Sequence, residues 1–271
     1  MTVTVTPESA GWRFSGLHVV DLPPGGRHEF DTGQNEVLVL PLYGGCGVAY
    51  DDGGFALQGR STVFGAPSDF AYLPTGTHAR IETLTGGRFA LPSARARRRL
   101  TARYGPADEV PVELRGTGQA SREVHNLCTP ETFDADRLMV VEVLTPAGNW
   151  SSYPPHKHDE HSDVERPLEE IYYYEIDHDG LGYQRVYSSG EDREIDVLTE
   201  VRSGDVVLIP HGYHGPSMAP PGYDMYYLNV MAGPDDERAW LFTDDPAHAW
   251  IRDTWAGQPL DPRLPFAEHR P

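Results

Sequence analysis

Two histidines, His156 and His158, flank Lys157 in the middle of the chain. On a β-strand, successive side chains point to opposite faces, so both imidazoles would share one face and Lys157 the other. Two imidazoles side by side are a natural chelate for a transition metal. The same pair is also compatible with solvent-exposed histidines in an acidic loop. The spacing alone does not decide between these interpretations.

Two further donors strengthen the metal hypothesis. Glu170 opens the strand-like run 170–176, and His214 follows the turn residues Pro210 and Gly212. Three imidazoles and one carboxylate would form a site with positions left open for water or a substrate oxygen. Such donors suit Zn, Mn, Fe, Ni or Co, and the sequence does not choose among them. We therefore predict one divalent metal ion.

Short strand-like runs that could position these donors recur along the whole chain. They are rich in branched and aromatic residues, and Gly, Pro or Asp bounds most of them, which favours a sandwich or barrel. The runs are 17–22, 36–42, 70–73, 79–84, 138–144, 170–176, 183–187, 205–209 and 225–231. They predict an all-β fold.

A short phrase occurs twice and indicates a duplicated barrel. Both copies consist of an apolar strand end followed by Pro-x-Gly-x-His, ending at His78 and at His214. We place a boundary between an N-terminal barrel, 1–115, and a C-terminal barrel, 116–271. The arginine-rich stretch 95–103 would be a surface helix or a connector. A short helix over 247–255, capped by Asp245, would end the fold, with Trp250 facing the barrel.

Composition excludes several classes of function. The formal net charge is -19, and the acidic excess lies after residue 115, so a nucleic-acid partner is not expected. The N-terminus lacks a signal-sequence pattern, and no apolar run approaches the length of a membrane helix, so no membrane partner is expected. The two cysteines, Cys46 and Cys128, form no disulfide or zinc pattern. These features predict a cytoplasmic protein with reduced thiols.

Long stretches of the chain resemble the 5-deoxy-glucuronate isomerase family of myo-inositol catabolism, within the cupin superfamily. The order His-x-His, Glu and Pro-x-Gly-x-His resembles cupins in general. The motifs of the narrower family are Asn149–Asp159 (NWSSYPPHKHD), Glu169–Tyr174 (EEIYYY), Tyr223–Gly233 (YDMYYLNVMAG), Ser61–Phe64, Tyr72–Pro74, Trp240–Phe242 and Asp244–Pro246.

The resemblance implies two cupin-like barrels, with metal in the C-terminal one and none in the N-terminal one. It implies isomerisation of 5-deoxy-D-glucuronate, a sugar acid, to 5-dehydro-2-deoxy-D-gluconate. His156, His158, Glu170 and His214 match the metal ligands of the related pectin-pathway isomerases. Eleven residues, 159–169, separate His158 from Glu170, more than the usual cupin spacing. Glu169 and Glu165 are therefore rival carboxylates, although strand alternation favours Glu170.

Three side chains are candidates for catalysis. Tyr174 shares a strand face with Glu170, and Glu165 lies with His161 in the 159–169 insertion, which could close over a pocket. Arg185 is the strand cation best suited to bind a substrate carboxylate. The alternatives are a packed aromatic ring for Tyr174, a solvated charge for Glu165 and a structural ion pair for Arg185.

Other functions remain compatible with the same ligands. One is a ketol-isomerase acting on 5-dehydro-4-deoxy-D-glucuronate from pectin, and another is a cupin that binds a sugar acid without converting it. An iron dioxygenase is a further alternative. Bicupin proteins often associate, so a homo-oligomer is possible by analogy of fold.

Overall fold

A computed structural model describes residues 3–51, 53–191 and 193–269 of the chain. Nearly all of its regular structure is β-strand, as the sequence predicts. Each of the nine predicted runs contains a strand, and most ends agree within two residues. The main exception is the run at 36–42, which belongs to a strand that continues to Tyr50.

The first half of the chain forms one branched sheet of nine strands around the long strand β4. The long strand β4 pairs through its first part with β6 and β8, and through its last part with β5 and β7. The elements are β1 (Val3–Val5), α1 (Pro7–Ala10), β2 (Ser15–Leu22), β3 (Arg27–Asp31), β4 (Asn35–Tyr50), β5 (Gly53–Arg60), β6 (Phe70–Leu73), β7 (His78–Glu82), β8 (Gly87–Arg95) and β9 (Arg103–Gly105).

The second half forms two facing six-stranded sheets. One has the order β10-β11-β12-β20-β15-β18, and the other contains β17, β16, β19, β14 and β21, with β13 paired to β19. The strands are β10 (Val112–Arg115), β11 (Arg122–Cys128), β12 (Met139–Thr145), β13 (Trp150–Ser151), β14 (His156–Lys157), β15 (Glu169–Ile176), β16 (Gly182–Tyr187), β17 (Asp196–Val201), β18 (Val206–Ile209), β19 (Tyr213–Met218), β20 (Met225–Ala232) and β21 (Thr243–Asp244).

The two barrels have different interiors and share a third core between them. Aliphatic side chains and phenylalanine dominate the interior of the first barrel, whereas that of the second includes Tyr172, Tyr174 and Tyr227. The core between the halves joins Leu17 and Leu40 of the first half to many side chains of the second. The two-barrel architecture that the sequence predicts is confirmed.

Each half also extends a carboxylate to backbone N–H groups of the other, and that of Glu36 is buried while that of Glu169 is half-buried. Glu36, on β4, accepts hydrogen bonds from the backbone of 136–138 at 2.6–2.8 Å and from the Tyr72 hydroxyl at 2.7 Å. Glu169, on β15, accepts from the backbone of 13–15 at 2.7–2.9 Å. Because each carboxylate accepts three N–H bonds from the opposite half, these contacts fix the halves relative to each other.

Two local expectations meet different outcomes. Of the two alternatives predicted for the stretch 95–103, the connector is correct: it joins β8 to β9, and Arg98 pairs with Asp136 at 2.6 Å. The C-terminal helix is present as a 3-10 helix over Ala249–Trp255, followed by α2 (Phe266–His269). Asp245 accepts a hydrogen bond from the Ala247 N–H at 2.8 Å. Trp250 is 60% exposed and does not face the barrel.

The boundary after residue 115 stays a prediction. Because β10 pairs with β11, we propose that the two barrels meet between Gly105 and Val112, slightly before the predicted division. No helix of the described residues is long and apolar enough to cross a membrane. Cys46 and Cys128 are both buried and unpaired.

Candidate metal centre

Three imidazoles meet inside the second barrel. His156 and His214 lie opposite each other on the antiparallel strands β14 and β19, with ring centroids 4.4 Å apart. The His158 ring lies 4.7 Å from that of His214, and its Nδ1 lies 3.2 Å from the Leu168 carbonyl oxygen. One ring nitrogen of each histidine lies within 4.8 Å of those of the other two. This is the separation expected of ligands around one ion.

The Glu170 carboxylate completes the cluster. Its Oε2 lies 3.1 Å from His158 Nε2 and 2.9 Å from His214 Nε2, and the residue is 1% exposed. Among the described residues, the buried atom His156 Nδ1 has no hydrogen-bond partner. Buried polar atoms are rarely left unsatisfied, so this nitrogen and the N3O donor set fit a divalent metal ion.

The charges of the cluster also suit a cation. Burial, together with the neighbouring imidazoles of His214 and His158, holds the pKa of His156 well below its ordinary value. Burial alone would raise the pKa of Glu170, but His214 and His158 outweigh it, and that pKa is held well below its usual range. A neutral imidazole and an ionised carboxylate are the forms that bind metal.

The rival carboxylates are engaged elsewhere. Glu169 binds the backbone of the N-terminal segment, as described above. The Glu165 carboxylate accepts hydrogen bonds from the Lys157 ammonium at 2.9 and 3.1 Å. It also accepts hydrogen bonds from the backbone N–H groups of Asp159 and Glu160 at 2.8 and 2.9 Å. Glu165 therefore organises local backbone, and Glu169 links the two halves of the chain. The Lys157 side chain lies with Glu165 and Asp159, away from the imidazoles.

A cavity of about 600 Å³ opens beside the cluster, and His156 contributes to its wall. The sheet supplies Tyr172, Tyr227 and Asn229, and the strand β10 and the C-terminal 3-10 helix supply cationic and indole groups. The remaining lining residues include Glu113, Arg115, Gly116, Arg122, Glu131, Ser152, Trp240, Phe242, Arg252 and Trp255. Aromatic rings and charged groups share this wall, which suits a polar small molecule.

All three catalytic candidates lie outside this cavity wall. The Tyr174 hydroxyl lies deeper in the barrel, 2.9 Å from Gln184 Oε1 and 3.2 Å from Ser217 Oγ. Arg185 pairs with Asp196 on the neighbouring strand β17 and donates to the Val197 carbonyl at 3.1 Å. Glu165, the third candidate, also lies outside the wall, and His161 is exposed beside Asp235 at 2.8 Å.

Several residues of the cavity wall were not predicted from the sequence as part of the site. Tyr172 stacks on Tyr227 with ring centroids 4.5 Å apart, and the Tyr172 ring lies 6.2 Å from that of His214. Burial and Glu170 raise the pKa of Tyr172 well above its ordinary value, so its hydroxyl keeps its proton. Strand alternation from Glu170 could have identified Tyr172. Nothing local to Arg122 or Asn229 marks them.

The first barrel presents a different set of histidines. His78 is exposed and its Nδ1 lies 2.9 Å from Asp31. The His18 and His28 rings lie 5.3 Å apart, and burial lowers the pKa of both. Among the described residues, the second-barrel cluster is the only group of three or more donors with metal-binding spacing.

Comparison with known proteins places these features in a family. The KduI/IolB family matches residues 1–251. A 5-deoxy-glucuronate isomerase of Geobacillus thermodenitrificans is 44% identical over 256 residues, covering 93% of this chain and 91% of that protein. A protein of the same name from Bacillus subtilis is 38% identical over 251 residues, covering 91% of each.

Solved structures give the same picture. An IolB-like protein from Salmonella typhimurium is 38% identical with a TM-score of 0.87, covering 92% of this chain and 94% of that one. An oxalate decarboxylase from Lactobacillus farciminis has a TM-score of 0.65 at 12% identity, covering 90% of this chain and 83% of that one. At this identity, the second likeness concerns the fold alone.

Proposed function

The chain belongs to the KduI/IolB family, and we propose that it is a metal-dependent isomerase converting 5-deoxy-D-glucuronate to 5-dehydro-2-deoxy-D-gluconate. The observation that carries the proposal is the convergence of His156, His158, His214 and Glu170 beside a cavity large enough for a sugar acid. The relatives named 5-deoxy-glucuronate isomerase support the choice of substrate.

The four side chains would hold one divalent ion. When bound there, the ion would act as a Lewis acid and stabilise the negative charge that develops on the sugar's carbonyl oxygen during proton transfer between C1 and C2. The imidazoles of His158 and His214 would be oriented by their backbone and strand neighbours, which keeps the donors in position before substrate arrives.

The cavity residues would orient the sugar. Tyr172 is a hydrogen-bond donor because its raised pKa keeps the hydroxyl neutral, and its Oη lies 3.3 Å from Ser152 Oγ. The Asn229 Oδ1 is buried and has no partner among the described residues, so it can accept a hydrogen bond from a sugar hydroxyl. Trp240 and Phe242 would exclude water from one side of the bound sugar.

We propose that the protein forms a homo-oligomer and that it is located in the cytoplasm. The buried thiols of Cys46 and Cys128 support a reducing compartment. The ligand set fits Zn, Mn, Fe, Ni or Co, so elemental analysis is the measurement that names the ion.

The test combines metal content with product analysis. We expect the purified chain to carry about one ion per chain and to convert 5-deoxy-D-glucuronate, with product followed by NMR in D₂O. His156→Ala and Glu170→Ala should lose both ion and turnover. Full metal and full activity in both variants would show that the site is misassigned.

A substrate panel separates the proposed activity from its relatives. Turnover of 5-dehydro-4-deoxy-D-glucuronate alone would instead make the protein a ketol-isomerase of pectin breakdown. Binding of both acids with no change in either would make it a binding protein. Oxygen uptake without isomerised product would indicate a dioxygenase.

A further inference from the structure

Arg122 is a buried cation that the fold leaves without a counter-ion. The residue is 8% exposed, and its Nη1 donates to the backbone carbonyls of Ala120 at 3.1 Å and Tyr153 at 3.4 Å. Across the described residues, no carboxylate lies within ion-pair distance of its guanidinium, although Glu113, which pairs with Arg115, is near enough for the Arg122 charge to lower its pKa. Burial of an unpaired charge is costly, so such a group usually has a partner or a function.

The two neighbouring cations of the cavity differ in this respect. Arg115 pairs with Glu113 at 2.7 Å, and Arg252 makes a two-pronged contact with Asp244. Both therefore have their charge balanced within the protein. Burial, and to a smaller extent Arg115 and Arg252, lower the pKa of Arg122 to about 10. Arg122 therefore remains cationic near neutral pH. Of these three arginines, it is the one whose guanidinium can still donate a pair of N–H groups to an external anion.

The neighbouring residues hold the Arg122 side chain in its buried position. It lies across from Arg115 in the β10–β11 pair, with its guanidinium 5.8 Å from the centre of the Trp255 ring. Gly116 has a positive φ of 72°, and a Cβ at that position would lie 2.7 Å from Arg122 Nη1 and 2.1 Å from the Ala120 carbonyl oxygen. The glycine is therefore required both by its backbone conformation and by the space that the guanidinium occupies.

Arg122 also lies on the same cavity wall as the candidate metal centre. It lines the cavity with His156, Tyr172 and Tyr227, and its charge acts on the hydroxyl of Tyr227, which stacks on Tyr172. The other carboxylate of the wall, Glu131, accepts a hydrogen bond from the Thr129 hydroxyl at 2.9 Å. In a chain with a net charge of -19, an unpaired guanidinium in a cleft is a specific attraction for an anion.

We infer that Arg122 binds the carboxylate of a sugar-acid ligand and thereby sets which end of the sugar faces the imidazoles. A hexuronate has its aldehyde and its carboxylate at opposite ends of the carbon chain. With the carboxylate in the Arg122 fork, the aldehyde end points along the wall toward His156. The inference that this ligand is the substrate rests on the proposed function, whereas the anion site itself rests on the geometry. The role replaces the one that the sequence suggested for Arg185.

The test compares the dissociation constants of a charged ligand and its neutral isostere. The ratio of the two constants is insensitive to a general weakening of binding in the pocket. Calorimetric titration of the metal-loaded full chain with D-glucuronate and with D-glucuronamide gives this ratio without any turnover. We expect the wild-type protein to prefer D-glucuronate, and Arg122→Gln to reduce that preference by about 30-fold or more, toward equal binding. Arg122→Lys should retain part of it, since an ammonium keeps the charge without the fork. Arg185→Gln is the matched control and should keep the wild-type ratio.

A second readout separates ligand binding from a structural role. Arg122→Gln also loses the bonds to the Ala120 and Tyr153 carbonyls, so the melting temperature of each protein without ligand is its own reference, and the variant should gain less than wild type on adding D-glucuronate. An unchanged D-glucuronate to D-glucuronamide ratio in Arg122→Gln, or a rise in melting temperature on adding D-glucuronate as large as that of wild type, would overturn the inference. If the ratio collapses as expected but 5-deoxy-D-glucuronate is not isomerised, the anion site stands and the proposed activity fails.

Discussion

The two barrels carry the same turn but use it differently. Pro74-Thr-Gly76-Thr-His78 leads from β6 into β7, and Pro210-His-Gly212-Tyr-His214 leads from β18 into β19. His78 lies on the exposed face of β7 beside Asp31, while the interior is filled by Ala79 and Ile81. His214 is fully buried and faces His156.

This difference shows that strand phase decides the role of a histidine at a repeated position. A shift of one residue moves every side chain of a strand to the opposite face. In the second barrel, β16 and β19 also have an irregular register between Gln184 and Val186, close to His214. Identical spacing in two copies therefore indicates a shared turn and leaves the orientation of the histidine open.

The largest expected effect comes from substituting the two histidines of this turn. His214→Gln should lose the ion and reduce turnover by ~10³-fold or more, because a ligand is lost from the centre of the donor set. His78→Gln should change either quantity less than about twofold, because its ion pair is exposed. Elemental analysis and a steady-state assay check both. A comparable loss in His78→Gln would remove the distinction between the barrels.

Buried carboxylates sharpen the comparison. Glu36→Gln should destabilise the protein by about 2–4 kcal/mol, because an amide cannot accept all the N–H bonds that the carboxylate accepts, and its own N–H₂ faces those donors. Metal content should stay at the wild-type level. Urea denaturation together with elemental analysis tests this. Glu170→Gln should show the opposite pattern, losing the ion first. Metal loss in Glu36→Gln at temperatures where it remains folded would contradict the assignment.

Substitution of the glycines in the two turns by alanine should reduce the stability of the protein by different amounts. Gly76 and Gly212 have φ values of 65° and 87°, so alanine costs about 1 kcal/mol at either position. At Gly212 a Cβ would also lie 2.5 Å from the Tyr187 carbonyl oxygen, whereas at Gly76 the nearest atom is the mobile Arg99 Nη1 at 3.2 Å. Gly212→Ala should therefore lose about 2–4 kcal/mol of stability and Gly76→Ala about 1 kcal/mol, as measured by thermal unfolding. Equal losses would indicate that the turns tolerate a side chain alike.

The smallest effect is expected on the outer face of the second barrel. Arg185→Gln should change stability by less than about 0.5 kcal/mol and turnover by less than about twofold, because it breaks an ion pair whose partner Asp196 is largely exposed. Denaturation and kinetics of this variant test whether only the inner face of the barrel contributes to function. A large loss of turnover would restore Arg185 as a substrate contact.

Much of the fold and the four metal-site donors could be predicted because they depend on local pattern. Alternation in β15 groups Glu170 with Tyr172 and Tyr174, and the apolar runs mark most strands. Alternation alone, however, does not show how far along the barrel a side chain lies. Tyr172 reaches the cavity wall, whereas Tyr174 lies deeper in the barrel. For Arg185 a local signal existed: Val186 is buried in β16, so its neighbour must face outward.

The cavity wall could not be predicted, because segments far apart in the chain build it. Arg122 comes from β11, Arg252 and Trp255 from the C-terminal 3-10 helix, and Trp240 from the segment after β20. No periodicity in the sequence reports that these segments meet. Arg122 is recognisable only by the absence of a counter-ion, which is a property of the folded structure.

The buried contacts of Glu36 have a consequence for how the chain is made. This carboxylate meets backbone N–H groups that lie 100 to 102 residues later, at Asp136–Leu138. On the ribosome, the first barrel would emerge with that charge still lacking its donors, and its final form would wait until translation has passed residue 138. We expect a stalled nascent chain ending near residue 120 to be more protease-sensitive in its first half than one ending near residue 180.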